Sequence, residues 1–406
     1  MLKKIPTQAV RIGMFIQGFD GNWLSHPFWK SRFVIEDAED LARVRQSGVA
    51  GVWIDTSKGL DVAAQAGPAP GPAVAPVAVP ADIAAPVAPP PAPVPTCSVR
   101  DELQRATKLI NRSKKAVTEL FQEARLGNAI NVEGCLPLVA DISESLARNS
   151  SALLGLARLK HKDEYTYMHS VAVCALMLSL ARQLGLDEER AREAGLAGLL
   201  HDVGKMAMPL EVLNKPGSLT DAEFAIMRSH PERGHAMLLA AGSLPESALD
   251  VCLHHHEKYD GSGYPGQLAG EAISLLARMG AVCDVYDAIT SNRPYKQAWN
   301  PAESLARMAQ WSGHFDTHVF HALVRSVGIY PLGSLVRLES GRLGVVVDLL
   351  PGKLTTPVVR VFFSAKNKTA ITQQQVDLSK PGASDRIVSR EDPGEWGFSN
   401  LDDFWR

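Results

Sequence analysis

The sequence has little of what marks secreted, membrane-spanning or nucleic-acid-coating proteins. Its 406 residues include five scattered cysteines without paired spacing, which argues against a disulfide framework and favours a reducing cytoplasm. The longest apolar run, residues 171–178, is far shorter than the roughly 18 residues that span a bilayer. No apolar stretch follows Lys3 and Lys4, so no secretory signal is expected. A formal net charge of −2 offers no basic surface for a nucleic-acid polymer and no polybasic membrane patch.

A change of composition divides the chain. Residues 62–96 are almost wholly Ala, Pro and Val and hold 11 of the 26 prolines, which predicts an extended linker. Helical periodicity dominates after it, and β-branched runs follow from about residue 331. We predict a mainly α protein with an N-terminal α+β regulatory module, the linker, connecting helices, a helical domain and a β-rich C-terminal module, at residues 1–61, 62–96, 97–144, 145–330 and 331–406.

The histidines concentrate in the helical part, where eight of the 12 lie between residues 161 and 256. The pair His201-Asp202 ends an apolar run and precedes Lys205 by three residues. Imidazole and carboxylate groups on separate helices are typical of a metal site in the core of a bundle. The absence of paired cysteines argues against a structural zinc site. The further candidate ligands are His169, His230, His255, His256 and Asp284.

Other histidines have a simpler structural interpretation. A lone histidine is more often a surface or hydrogen-bonded core residue than a ligand, and helical geometry turns His254 away from a neighbour. The three histidines near residue 318 have helical spacing, but no acidic partner converges on them in the sequence. We therefore favour structural roles for His161, His235, His254, His314, His318 and His321.

Two motifs together indicate a family. His201-Asp202-Val203-Gly204-Lys205 and the eleven residues from His255 to Pro265, HHEKYDGSGYP, resemble the two signatures of the HD-GYP family. That family is a branch of the HD-domain metal-dependent phosphohydrolases, and its members hydrolyse cyclic di-GMP. The resemblance covers about residues 145–330 and implies an HD-type helical bundle. The start of the chain resembles a small domain often found ahead of this family.

The resemblance also implies a binuclear metal centre. Asp202 would bridge two cations, with His169, His201 and Asp284 on one and His230, His255 and His256 on the other. Tyr165 stands where members with a third metal have Glu, so we expect two divalent ions. Iron or manganese is expected from the family, although the ligand set alone would also accept zinc, nickel or cobalt.

Catalytic and substrate-binding roles follow by the same resemblance. The cations would hold a bridging hydroxide for attack on the phosphodiester. Asp202 and Lys205 would be catalytic, with the ammonium neutralising a phosphate oxygen or assisting the leaving group. Arg293 and Lys296 match positions that hold substrate phosphates.

The loop at residues 260–265 combines two glycines with a proline. We predict close backbone approach to substrate at Gly263 and stacking of guanine on Tyr264, the alternative being a structural turn with the ring packed inward. Lys258 stands where many relatives have Arg, which keeps the charge and loses the planar fork.

The resulting hypothesis is an enzyme that linearises cyclic di-GMP to pGpG; whether it continues to GMP stays open. One alternative is a non-catalytic sensor or scaffold for a cyclic dinucleotide. Another is a phosphodiesterase for 3′,3′-cGAMP or pGpG. The resemblance implies GGDEF-type or other signalling partners at the 260–265 loop, and the amphipathic run at 99–123 allows a homodimer, although packing against the bundle is its commoner use.

Overall fold

The computed structural model describes residues 2–19, 33–35, 41, 44–45, 51–56, 58, 60, 97–128, 130–159, 165–242, 244–291, 299–350, 353–383 and 385–405. They belong to two units, Met1–Ala92 and Pro93–Arg406, which are taken separately below. The predicted linker lies outside the described residues, and the domain boundaries stay predictions.

The N-terminal unit contains a small antiparallel sheet in the order β1-β4-β2-β3. Ile16 and Ile54 pair across neighbouring strands and are both fully buried, so they form the centre of this small core. Val10 and Met14, which precede β2, complete it. The strands are β1 (Leu2–Pro6), β2 (Phe15–Phe19), β3 (Phe33–Val34) and β4 (Gly51–Asp55).

The second unit is mainly helical. A long helix begins after Ser98, whose side chain caps it by accepting from Asp101 N, and its apolar stripe faces the bundle. The helices are α1 (Val99–Arg125), α2 (Leu136–Arg158), α3 (Tyr165–Gln183), α4 (Glu188–Leu200), α5 (Leu210–Leu213), α6 (Asp221–Met227), α7 (His230–Ala241), α8 (Glu246–His254), α9 (Leu275–Thr290), α10 (Pro301–Met308) and α11 (Thr317–Val327).

Helices α3 and α4 form the buried centre of the bundle because small residues let their backbones approach. A Cβ at Gly195 would lie 2.7 Å from the Leu178 side chain, and one at Gly198 would lie 3.0 Å from the Val173 carbonyl oxygen. Most of α3 is buried, so its sequence shows an apolar run rather than an amphipathic stripe. This close packing fixes the relative position of His169 and the end of α4.

A buried ion pair joins α1 to α2. Glu102 is fully buried and accepts hydrogen bonds from Arg148 Nη2 at 2.9 Å and from Ser145 Oγ at 2.8 Å. Burial alone would raise the pKa of Glu102, but the bonds from Arg148 and Ser145 lower it below its ordinary value of 4.5. One residue beyond Arg148, α2 bends at Asn149, which has non-helical angles and donates to the Cys97 carbonyl oxygen.

A five-stranded antiparallel sheet follows the helices, in the order β8-β7-β6-β5-β9. One face packs Leu335, Val345 and Phe362 into a core that also contains Val99 of α1 and Ala152 of α2. The prediction of a mainly α bundle with a β-rich C-terminal part is confirmed. Among the described residues, no helix combines the length and apolar character required to cross a membrane. The strands are β5 (Leu335–Leu338), β6 (Arg342–Asp348), β7 (Val358–Ser364), β8 (Thr369–Asp377) and β9 (Ile387–Arg390).

We expect Glu102→Ala to lower the free energy of unfolding by about 3 kcal/mol, because it leaves the partly buried Arg148 guanidinium without its carboxylate. The matched control is Glu119→Ala on the same helix, where an exposed pair with Lys115 contributes less than about 1 kcal/mol. Denaturant unfolding of the full chain measures both.

The Glu102 contribution has a defined pH dependence. Because its folded pKa is lowered, the stabilisation is complete above about pH 4.5 and is lost as the pH falls towards the folded pKa. Equal effects of the two substitutions at neutral pH would contradict the assignment.

Candidate metal centre

The His201-Asp202 pair lies where α4 ends and a 3-10 turn, Val203–Ala207, begins. Both side chains are 1% exposed. The turn lies directly against α7: a Cβ on Gly204 would lie 1.9 Å from the His230 carbonyl oxygen and 2.4 Å from Gly234 N. Glycine is therefore required at this position, and the contact brings the start of α7 next to the pair.

The Asp202 carboxylate lies at the centre of four imidazole rings. Its Oδ2 atom is 3.5 Å from His169 Nε2 and 3.3 Å from His201 Nε2. Its Oδ1 atom is 3.2 Å from His230 Nε2 and 3.7 Å from His255 Nε2. Each carboxylate oxygen thus faces its own pair of histidines.

Each of the same four rings is also held at Nδ1, the nitrogen on the side of the ring away from Asp202. In each, Nδ1 is within hydrogen-bond distance of an acceptor oxygen, so a proton assigned to Nδ1 leaves the Nε2 lone pair directed at Asp202. The contacts join His169 to Asp287 Oδ2 at 2.6 Å, His201 to Gly198 O at 2.8 Å, His230 to Met227 O at 2.8 Å, and His255 to Val251 O at 3.1 Å and Cys252 O at 3.0 Å.

Asp284 and His256 complete the cluster. Asp284 Oδ1 is 2.9 Å from His169 Nε2, and its Oδ2 is 3.9 Å from His256 Nδ1. Asp284 therefore lies near one ligand of each set, His169 in the first and His256 in the second. Two groups each have ligand atoms within 4.8 Å of one another and share Asp202: His169, His201 and Asp202, and Asp202, His230, His255 and His256.

Burial and charge set the protonation of these groups. Burial alone would raise the pKa of Asp202, but the Lys205 ammonium and the His201 ring hold it well below its usual value. Burial lowers the pKa of His256 to about 3 and that of His255 well below the usual value. Burial would also lower the pKa of His201, but the adjacent Asp202 raises it. The result is an ionised Asp202 carboxylate beside neutral His255 and His256 rings with available lone pairs.

The donor set fits a divalent metal ion. Within the described part of the chain, His201 Nε2 and Asp202 Oδ1 are buried and make no hydrogen bond; the His230 contact at 3.2 Å lacks the required geometry. Leaving such atoms unpaired costs free energy that a cation would recover. Imidazole nitrogen and carboxylate oxygen suit first-row divalent metals. The cluster can therefore hold metal, and its geometry does not select one element.

The loop after the histidines is held by Glu257. This carboxylate is 2% exposed and accepts from Gly266 N at 2.6 Å and Leu268 N at 3.2 Å. Gly263 packs closely against the backbone next to Glu257, because a Cβ on Gly263 would lie 2.3 Å from Lys258 N. The glycine thus has a demonstrable packing role, and its predicted contact with substrate stays a prediction.

Tyr264 lies at the edge of the histidine cluster. Its ring stacks on His256, with centroids 4.8 Å apart, and the Arg228 guanidinium lies 4.5 Å from the ring centroid. Burial raises the pKa of the Tyr264 hydroxyl, which therefore stays protonated. Lys205, which the resemblance predicts to be catalytic, contacts the Asp202 carboxylate directly.

The structure does not describe every residue that the sequence singles out. Arg293, Lys296, His161 and the side chain of Tyr165 lie outside the described residues, so their predicted roles stay predictions. His254 points away, as expected, and pairs with Asp250 at 2.8 Å.

Three residues at the site received no role from the sequence. Asp287 orients His169, Glu257 holds the loop, and Arg228 contacts Tyr264. Only Asp287 had a usable signal, because it follows Asp284 by nearly one helical turn. Arg228 and Tyr264 are distant in sequence and meet only through the fold.

Comparisons with known proteins agree with this geometry. Residues 138–319 match the model of the HD domain, and residues 2–135 match a domain of unknown function, DUF3391. The fold and the His-Asp cluster thus define an HD-domain protein. The chain belongs to the HD-GYP branch of that family, as the two motifs predicted.

Several proteins similar to this chain are named as cyclic dinucleotide phosphodiesterases. Cyclic di-GMP phosphodiesterase PA4108 of Pseudomonas aeruginosa is 56% identical over 406 residues, which is 100% of this chain and 96% of that protein. Cyclic di-GMP phosphodiesterase response regulator RpfG of Xanthomonas campestris is 43% identical over 46% of this chain and 50% of its own. A 3'3'-cGAMP-specific phosphodiesterase 1 of Vibrio cholerae is 35% identical over 44% and 41%.

We expect Gly204→Ala to abolish metal binding by the cluster, because the added Cβ would meet the backbone of α7 and move His230 away from Asp202. Gly134→Ala is the matched control, since its nearest neighbour is an Asn131 side-chain atom at 3.5 Å. Metal content per chain after loading and dialysis measures the difference. Full metal content in the Gly204 variant would disprove the requirement.

Proposed function

We propose that this chain is a metal-dependent phosphodiesterase that hydrolyses cyclic di-GMP to linear pGpG. The observation that carries the proposal is the Asp202 carboxylate, each of whose oxygens faces a separate histidine pair. A full-length relative at 56% identity has the name cyclic di-GMP phosphodiesterase, which supports the substrate.

Two divalent ions would be held by this cluster, with Asp202 between them. His169 and His201 would bind one ion and His230, His255 and His256 the other, in agreement with the two overlapping groups. Asp284 reaches towards both sets. We propose iron or manganese on family grounds. When bound, such ions lower the pKa of a coordinated water and offset phosphodiester charge.

The chain's own groups would then position the substrate and handle its charge. Lys205 contacts Asp202 and its side chain is 23% exposed, so its ammonium is available to a phosphate oxygen or to the leaving oxygen. Asp287 holds the His169 ring in one orientation. We retain Arg293 and Lys296 as proposed phosphate contacts.

Arg228 and Tyr264 would form the rim that receives a guanine base or phosphate. Arg228 is exposed, lies over the Tyr264 ring and comes two residues before His230. A guanidinium can pair with phosphate oxygens or stack on a base. Because Glu257 fixes the loop, the Tyr264 ring is presented in a defined position.

The remaining partner and location proposals rest on the sequence. We propose action in the cytoplasm, in keeping with five cysteines that are all free. Signalling partners of the GGDEF type at the 260–265 loop, and a homodimer, are retained as predictions.

Anaerobic hydrolysis of cyclic di-GMP tests the function. We expect the chain loaded with Fe(II) or Mn(II) to produce pGpG, and Asp202→Asn to lower kcat by at least about a thousandfold, because the shared ligand loses its charge. Asp141→Asn, at a 42% exposed side chain near the start of α2, is the matched control. Chromatography of the products and metal analysis provide the readouts.

Three results would contradict the proposal. Tight binding of cyclic di-GMP without turnover, with every first-row metal tried, would indicate a sensor. Faster turnover of 3′,3′-cGAMP or pGpG in competition would change the substrate. Two retained metals in the Asp202 variant would refute the bridging assignment.

We expect Arg228→Ala to raise KM for cyclic di-GMP by about tenfold with kcat changed less than about threefold, because a binding contact is lost and the metal ligands are kept. Arg233→Ala, at an exposed position on α7, is the control. Steady-state kinetics separate the two parameters, and an unchanged KM would exclude Arg228 from the binding rim.

A further inference from the structure

A second cavity lies between the helices and the C-terminal sheet. It has a volume of about 480 Å³ and is formed by α2, α3, α11 and residues 349–350 and 353–354. Its size falls within the range of small-molecule sites, about 300–1,000 Å³. None of the seven clustered side chains of the metal centre lines it.

The positive charge in this cavity is only partly neutralised. Arg182 is paired with Glu188 at 2.8 Å. Arg325 and Lys353 also line the cavity, and neither has an ion pair among the residues that the structure describes. The two residues before Lys353 are proline and glycine and carry no carboxylate. Arg325 is half-buried, and burial lowers its pKa. Among the lining residues that the structure describes, Arg325 and Lys353 therefore present positive charge that no paired carboxylate offsets.

The rest of the wall supplies hydroxyl groups and an apolar surface. Ser150, Ser179 and Ser326 line it, and Ser179 Oγ lies 2.7 Å from Ser326 Oγ. Leu350 and Leu354 form an apolar side. Guanidinium, ammonium and hydroxyl donors suit phosphate, and the leucines suit a planar base.

We propose that this cavity binds a phosphate-bearing small molecule of nucleotide size, with Arg325 and Lys353 on the phosphate and the leucines on the base. The site is separate from the metal centre, and its existence does not depend on the proposed hydrolysis.

A physical connection to the metal centre exists. A smaller inner cavity of about 40 Å³ shares four lining residues with the larger one, which are Ser150, Ser151, Ser326 and Leu349. Its wall also includes Asp287, the residue that orients His169. A ligand in the outer cavity would thus contact the packing around a residue that positions a metal-centre histidine.

Isothermal titration of the metal-free full chain at physiological salt tests the site. We expect GMP and AMP each to bind with one site per chain, and guanosine, which lacks the phosphate, not to bind at the same concentrations. Arg325→Gln should weaken GMP binding by at least about tenfold, through loss of a charge-assisted contact. Arg190→Gln, at a 55% exposed side chain on α4, should leave binding unchanged.

Stability distinguishes a lost contact from a damaged fold. Because Arg325 is half-buried and pairs with no carboxylate in the described ranges, we expect Arg325→Gln to melt no lower than the unaltered chain. If it does melt lower, Lys353→Gln, at an exposed position, must show the same weakening of GMP binding. Absence of saturable binding by both nucleotides, or binding that neither substitution weakens, would overturn the proposal. Failure of hydrolysis would not affect it.

Discussion

The buried Asp202 carboxylate, ringed by imidazoles, is the interaction on which the bundle depends. A charged carboxylate that is 1% exposed is costly unless cations or hydrogen-bond donors surround it. Lys205 supplies one positive charge within the same turn. The other partners come from α3, α7 and the end of α8, so several helices must converge on one point. The tight packing at Gly198 and Gly204 makes that convergence possible.

Histidines at helix ends both pair with carbonyl oxygens of the helix and direct Nε2 towards Asp202. The last turn of a helix leaves carbonyl oxygens without partners inside the helix. His201 and His255 each place Nδ1 against a carbonyl in the last turn of the helix before them, and His230 does the same to the end of α6. Satisfying these carbonyls fixes the rings, and it also turns each Nε2 towards Asp202. The position of these motifs at helix ends is thus a structural requirement of the site.

The sequence predicted the parts of the site that are local. Residues 201–205 and 255–265 lie in continuous motifs, and His169, His230 and Asp284 are candidate ligands by residue type on separate predicted helices. The structure brings all of them together. Some contacts form only when the chain folds, and the sequence contains no signal for them. Examples are the contact of Arg228 with the Tyr264 ring and the hydrogen bond from Gly266 N to Glu257. The exposed strand β8 has no strand signal of its own, because its run of glutamines shows no apolar alternation.

The C-terminal sheet is part of the same packing system as the metal-bearing helices. A Cβ at Gly155 of α2 would lie 2.6 Å from Leu332 and 3.2 Å from Trp405, so the helix and the C-terminal segment are in close contact. The same helix bears Arg148, which holds Glu102, and Ser150, which lines both cavities. Because close-packed interiors transmit displacement, a shift of the sheet would move α2 and the wall around Asp287. The sheet therefore contributes to the surroundings of His169 although none of its residues reaches the metal centre.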